Sequence, residues 1–213
     1  MKNHFITILK KLFTADYPYC IYCGKEYDVD ENILACHTCM DKLVPGSMAD
    51  AFGFDFTACY AFEGPVRSLV HRYKYNGERH LGDKIARLMQ NTLKEYNLLP
   101  QMIVHVTLHS IKKKKRGFDQ SKLIARKLSA LTAIPCTPAL NRIKNTLSQT
   151  HLTRPERIEN VKGVFEIKDD VSGFDILLID DVLTTGSTAA ECARVLMKNG
   201  AASVRIMVFA IAV

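Results

Sequence analysis

The sequence predicts an α/β protein: a parallel sheet flanked by helices, with a small metal-held unit in front of it. Three observations carry this. An apolar run at 176–179 ends in two acids and a hydroxyl-rich loop before a helical pattern. Strand-like and helix-like segments alternate from residue 56 onward, the pattern of a parallel sheet. Four cysteines near the front stand as two C-x2-C pairs separated by twelve residues.

Taken in order, residues 1–19 are a basic lead-in, with a short amphipathic stretch at 4–13 split by Lys10 and Lys11. Cys20, Cys23, Cys36 and Cys39 follow. Two thiolate pairs joined by a hairpin give the S₄ set that Zn²⁺ prefers, and a closed set of four is structural rather than catalytic. Redox chemistry or disulfides are the competing readings, and no secretory signal favours the latter. Cys59, Cys136 and Cys192 lie in apolar patterns and read as core thiols. Residues 40–55 hold Pro45, Gly46 and Gly53 and read as a linker. Domain boundaries are thus expected at 1–45 for the ribbon and 46–213 for the α/β domain.

A strand is expected at 56–62, a helix opened by Pro65 through about Tyr73, and a helix at 81–96. A strand at 103–108 and a helix at 120–131 come next. Residues 145–162 show no clear pattern and read as a loop covering an active site. The last units are a strand at 176–180, a helix at 188–199 closed by Gly200, and a strand at 204–212. The apolar run at 206–213 is too short to span a bilayer.

Charge is unevenly spread. The chain is +7 overall, yet residues 100–162 hold 13 lysines and arginines against 3 acids, a surplus of ten. That stretch calls for a polyanionic partner. Lys112, Lys113, Lys114, Lys115 and Arg116 stand together in it and have two readings: a plain solvated turn, or a cluster at the carboxyl edge of the sheet facing pyrophosphate or a phosphodiester backbone. Phe118 is either a base-stacking ring or a core anchor.

Asp180 and Asp181 fall where ligands sit in open α/β sheets, beyond strand carboxyl ends. Neighbouring strand residues face opposite ways, so one acid can accept from sugar hydroxyls while the other faces a metal or water. Thr184, Thr185, Gly186, Ser187 and Thr188 offer hydroxyls, amides and a helix N-terminus, which together suit a phosphate. The plainer alternative is that Ser187 or Thr188 only caps the helix. A Walker loop is excluded, because its Gly-Lys-Ser/Thr ending is missing.

The run 176–188 resembles the signature of type I phosphoribosyltransferases. The resemblance implies that fold, with Asp180 and Asp181 on the ribose hydroxyls of phosphoribosyl pyrophosphate (PRPP), residues 184–188 on its 5-phosphate, and Mg²⁺ bridging pyrophosphate and sugar. With the four cysteines, Tyr73-Lys74-Tyr75-Asn76-Gly77, Leu108-His109, Arg116-Gly117-Phe118-Asp119-Gln120 and Arg142 through Phe165, nearly the whole chain is similar to the ComF family of late-competence proteins. It departs from that family where Thr107 and Ser110 replace Pro, Lys112 replaces Arg and Asp119 replaces Asn.

The resemblance implies a cytoplasmic protein, acting at the inner face of the membrane, that handles incoming single-stranded DNA beside a ComFA-type helicase and recombination mediators. His109, Lys112 and Arg116 are expected on PRPP and, from the basic stretch itself, Lys113, Lys114, Lys115 and Phe118 on nucleic acid; the resemblance adds the ribbon as a hood over the pocket. The alternatives are a metabolic phosphoribosyltransferase acting on a nitrogen acceptor and a PRPP-sensing transcription regulator.

Overall fold

The computed structural model describes residues 19–26, 35–108, 110–144 and 154–212. Within them, α1 (His37–Met40) lies in the cysteine ribbon. The sheet begins with β1 (Met48–Ala51) and β2 (Phe54–Ala61), an antiparallel pair. Their turn is Phe52-Gly53, both at positive φ (60° and 78°), which suits the twist of a two-residue hairpin. Residues 40–55 are therefore not only a linker: their second half is an edge strand.

Two helices follow, α2 (Gly64–Tyr75) and α3 (Leu81–Glu95). Pro65 opens α2, where its missing N–H costs nothing. Then come β3 (Met102–His105), α4 (Ser110–Arg116) and α5 (Gln120–Thr132). Asp119 caps α5 by accepting the Lys122 amide at 3.1 Å. The five cations at 112–116 are helical rather than a turn. Lys and Arg are good helix formers, and Gly117, at φ 75°, ends the helix. A β carbon there would meet Arg79 at 2.9 Å.

The remaining elements are β4 (Leu140–Arg142), α6 (Arg154–Val161), β5 (Phe165–Ile167), β6 (Asp175–Leu183), α7 (Ser187–Lys198) and β7 (Ser203–Ile211). The β4–β5 pair forms a second, small antiparallel sheet that the sequence did not announce. The expected cover at 145–162 is helical in its second half. Its first part, 145–153, lies outside the described residues, as does the segment 4–13.

The main sheet has the order β1-β2-β7-β6-β3, with β2, β7, β6 and β3 parallel. Strand alternation divides the core in two. Leu177, Ile179, Met207 and Phe209 face α2, α3 and α5, whereas Ile176, Leu178, Ile206 and Val208 face α7. The chain leaves β3 toward the α5 face and leaves β6 toward the α7 face. Neighbouring strands whose exits diverge leave a crevice at their carboxyl ends. Cys20, Ile21, Tyr22, Ala35 and Cys39 of the ribbon share the core of the α2 face.

Candidate functional site

The crevice is real. A cavity of about 160 Å³ lies there, walled by residues 106–108, Arg116, 119–121, Arg142 and 180–189. β3 stops pairing at Ile179, whereas β6 runs on to Leu183 beside β7. Asp180 and Asp181 are thus inside β6 yet past the end of its other neighbour, which bares them on one side. The strand extends three residues beyond its expected end.

The two acids have different surroundings, as alternation requires. The Asp180 carboxylate accepts the Ser121 hydroxyl at 2.7 Å and the Asp181 amide at 2.9 Å. Burial first, and the charge of Asp181 second, push its carboxyl up to about 7, against the pull of Ser121, that amide and Lys74. Asp181 points to the other face, where its Oδ1 meets Lys74 Nζ at 2.9 Å and accepts the Val182 amide at 2.6 Å. Ser121 and Lys74 were not foreseen. Their pairings span 59 residues and more along the chain, so no local pattern signals them.

Gly186, at φ 78°, is the N-cap of α7, and no side chain caps that helix. Ser187 and Thr188 lie inside its first turn, so the capping alternative is not what the fold uses. The leading amides have no intrahelical acceptor and sit in the cavity wall. Thr185 and Ser187 hydroxyls lie 3.1 Å apart across the loop. A β carbon on Gly186 would approach the Phe56 ring at 3.3 Å, so the tight loop needs glycine on both counts.

Two guanidinium groups face the acids. Arg116 donates to Gln120 Oε1 at 3.0 Å and to the Tyr75 hydroxyl at 3.3 Å, and lies over the Tyr75 ring. These neutral partners hold it while leaving its charge available. Arg142, from β4, sits over Phe165 at 5.3 Å. Burial lowers its affinity for a proton, while the buried Cys192 and Asp180 raise it. It is a wall residue that sequence reasoning noted without assigning a role.

Lys113 and Lys114 are exposed on α4. Lys112 and Lys115 belong to the same helix, but their side chains, like all of His109, lie outside the described residues. Phe118 is 8% exposed. Its ring meets Tyr73 edge-on at 5.3 Å and carries Arg79 at 5.1 Å. It is a wedge between α2 and α5, with no open face for a base, and the core-anchor reading is the one the packing supports.

The four cysteine sulfurs lie within 4.8 Å of one another. A tetrahedral zinc site puts sulfurs about 3.8 Å apart, given Zn–S near 2.3 Å, and Cys23 and Cys36 stand at 4.0 Å. The donor set therefore fits Zn²⁺. The knuckle is held by Gly24 N–H to the Cys20 carbonyl at 2.8 Å. At Cys20 burial raises the thiol, but the amides of Cys23, Cys36 and Tyr22 outweigh it and bring it down to about 7; at Cys23 and Cys39 burial wins and pushes the thiols up, so Cys20 is the member of the set closest to the thiolate a metal requires.

None of the described ribbon residues lines the cavity, so among them the hood is not seen. The ribbon reaches the site indirectly. Arg72 of α2 donates to the Ile21 and Tyr22 carbonyls at 2.9 and 3.4 Å and pairs with Glu78. Lys74, two residues on, holds Asp181. Among the described side chains of α6, none lines the cavity either.

Among the described residues, no helix is long and apolar enough to cross a membrane. No protein-family model matches the chain. It is 34% identical over 179 residues to the DNA utilization protein YhgH of Salmonella typhi, covering 81% of this chain and 76% of the relative. It is 26% identical over 199 residues to Competence protein F of Haemophilus influenzae, covering 89% and 83%. Among solved structures it is similar to a purine phosphoribosyltransferase from Pyrococcus horikoshii, at 22% identity and a TM-score of 0.41, over 62% of this chain and 75% of that one.

Proposed function

The chain belongs to the ComF family of competence and DNA utilization proteins, and from that premise we propose that it handles incoming single-stranded DNA through a domain that also binds PRPP. One observation carries the reading. A single cavity is walled by paired acids, a hydroxyl loop at a helix N-terminus, and Arg116 from the cation-rich α4.

In this reading the amides at 186–189, with the Thr184, Thr185, Ser187 and Thr188 hydroxyls, hold the 5-phosphate. Asp180 and Asp181 accept from the ribose hydroxyls. Arg116 and Arg142 face the pyrophosphate, joined by His109 and Lys112. If the sugar is transferred, positive charge grows on its ring as pyrophosphate leaves, and the acids stabilise it. Lys113, Lys114 and Lys115 carry the DNA backbone along α4, away from the acids, which would repel it. A ComFA-type helicase and recombination mediators are the partners such a role calls for. Zn²⁺ on Cys20, Cys23, Cys36 and Cys39 holds the ribbon in shape.

The test has two arms. Fluorescence anisotropy with labelled single-stranded and duplex DNA at 50 and 200 mM salt should show single-strand binding that weakens at least tenfold as salt rises. Equal, weak binding at both salts ends the DNA half. Calorimetry with PRPP should show affinity lost in Asp180→Asn/Asp181→Asn; unchanged affinity ends the pocket half.

A further inference from the structure

We propose that Lys74 is a built-in counter-cation for the acid pair, taking the place that a divalent metal ion would otherwise hold at Asp181. Three observations lead there. Lys74 Nζ lies 2.9 Å from Asp181 Oδ1, and both side chains are largely enclosed, at 16% and 10% exposed. An ion pair of this kind is screened little by solvent. Asp180 has its own donors, Ser121 and the Asp181 amide, so the inner oxygens of both acids are already taken. The pair plus one ammonium carries at most one net negative charge, a poor seat for a doubly charged ion.

The lysine is also held where it stands. It lies in the last turn of α2, where cations are favoured by the helix dipole. Its neighbours fix the rotation of that turn from both sides. The Tyr73 hydroxyl donates to the Gln120 carbonyl at 2.9 Å, and Arg72 is tied to Glu78 and the ribbon. Lys74 does not line the cavity. It acts through Asp181, holding that carboxylate in one orientation for a sugar hydroxyl, and is a positioning residue. The role in ribose recognition rests on the PRPP-pocket reading; the exclusion of metal does not.

The test uses the full chain and Mn²⁺ as the probe, with free Mn²⁺ read by electron paramagnetic resonance. The ribbon is kept zinc-loaded so that its thiolates take no manganese. Wild type should bind no Mn²⁺ in an Asp181-dependent way below millimolar concentration. Lys74→Met keeps the apolar stem and should gain Mn²⁺ affinity at least tenfold, a gain that Lys74→Met/Asp181→Asn loses. Lys74→Arg keeps the charge and should behave as wild type, even if the Met variant folds poorly. Wild-type Mn²⁺ binding that Asp181→Asn abolishes overturns the proposal, as does Mn²⁺ binding by Lys74→Arg matching that of Lys74→Met.

A second arm titrates ribose 5-phosphate, which has no pyrophosphate to chelate metal, with Mg²⁺ or with chelator. Wild-type affinity should differ less than threefold between them, and Lys74→Met should need the metal. Absence of ribose 5-phosphate binding in wild type refutes the sugar reading and the recognition role together, while the manganese result still decides whether Lys74 excludes metal.

Discussion

Replacing Asp180 with Asn should make the protein more stable, and more so as pH rises. Folding puts this carboxyl beside a second one in a water-poor crevice, which raises it from 3.8 to about 7. Each pH unit of such a rise is worth about 1.4 kcal/mol, so the full penalty above pH 7 is about 4 kcal/mol. Asn still accepts from Ser121 and from the residue 181 amide, so the variant should recover about 2–4 kcal/mol of it.

The sign follows from proton counts. Between pH 4 and 7 the folded protein keeps a proton that the unfolded chain releases, so stability falls as pH rises through that window and is level above it. His105 works the other way: burial brings it down to about 4, so the folded state loses stability as pH falls below 6.5. That contribution is common to wild type and variant and cancels in their difference. Urea unfolding of both proteins at pH 5 and pH 8 is the assay. The stability gap should widen by about 2–3 kcal/mol between the two. A gap that does not change with pH refutes the burial argument, and loss of stability at pH 8 refutes it outright. Stability gained together with PRPP affinity lost is the mark of a residue kept for binding.

Two further outcomes follow from the packing. Arg72→Met should cost about 3 kcal/mol, since it strands part-buried Glu78 and uncovers two ribbon carbonyls; limited proteolysis should then cut near residues 19–45 first, and an unchanged digestion pattern would count against the docking role. Gly46→Ala should disrupt the β1–β2 edge, because a β carbon there would sit 2.1 Å from the Ala58 carbonyl oxygen; an unaltered melting temperature would show that the edge yields easily.

What could be read from sequence was what is local. The β6–α7 junction stood out because its strand, acids, loop and helix are contiguous, and Gly186 and Gly200 mark both ends of α7. The ribbon was legible for the same reason. β1 was not. Pro45, Gly46 and Gly53 signal irregular chain, but Gly46 is there to let two backbones meet, and Phe52-Gly53 lacks the usual Asn-Gly sign of a hairpin. At 112–116 mutual repulsion argued for a turn, whereas helix propensity and the Gly117 stop prevailed. The β4–β5 pair is three residues a side, too short for any periodicity. Lys74, Ser121 and Arg142 were visible as letters, but their roles arise only when α2, α5 and β4 converge on β6.

The sheet order has a bearing on synthesis. The strand that occupies the middle position, β7, is the latest of all to leave the ribosome. Until it emerges, β2 and β6 have no common neighbour, and the backbone edges that pair with it stay unpaired. Nascent chains paused before residue 203 would carry a finished cysteine knuckle beside an unclosed sheet, which makes them natural clients for chaperones and a poor starting point for C-terminally shortened variants.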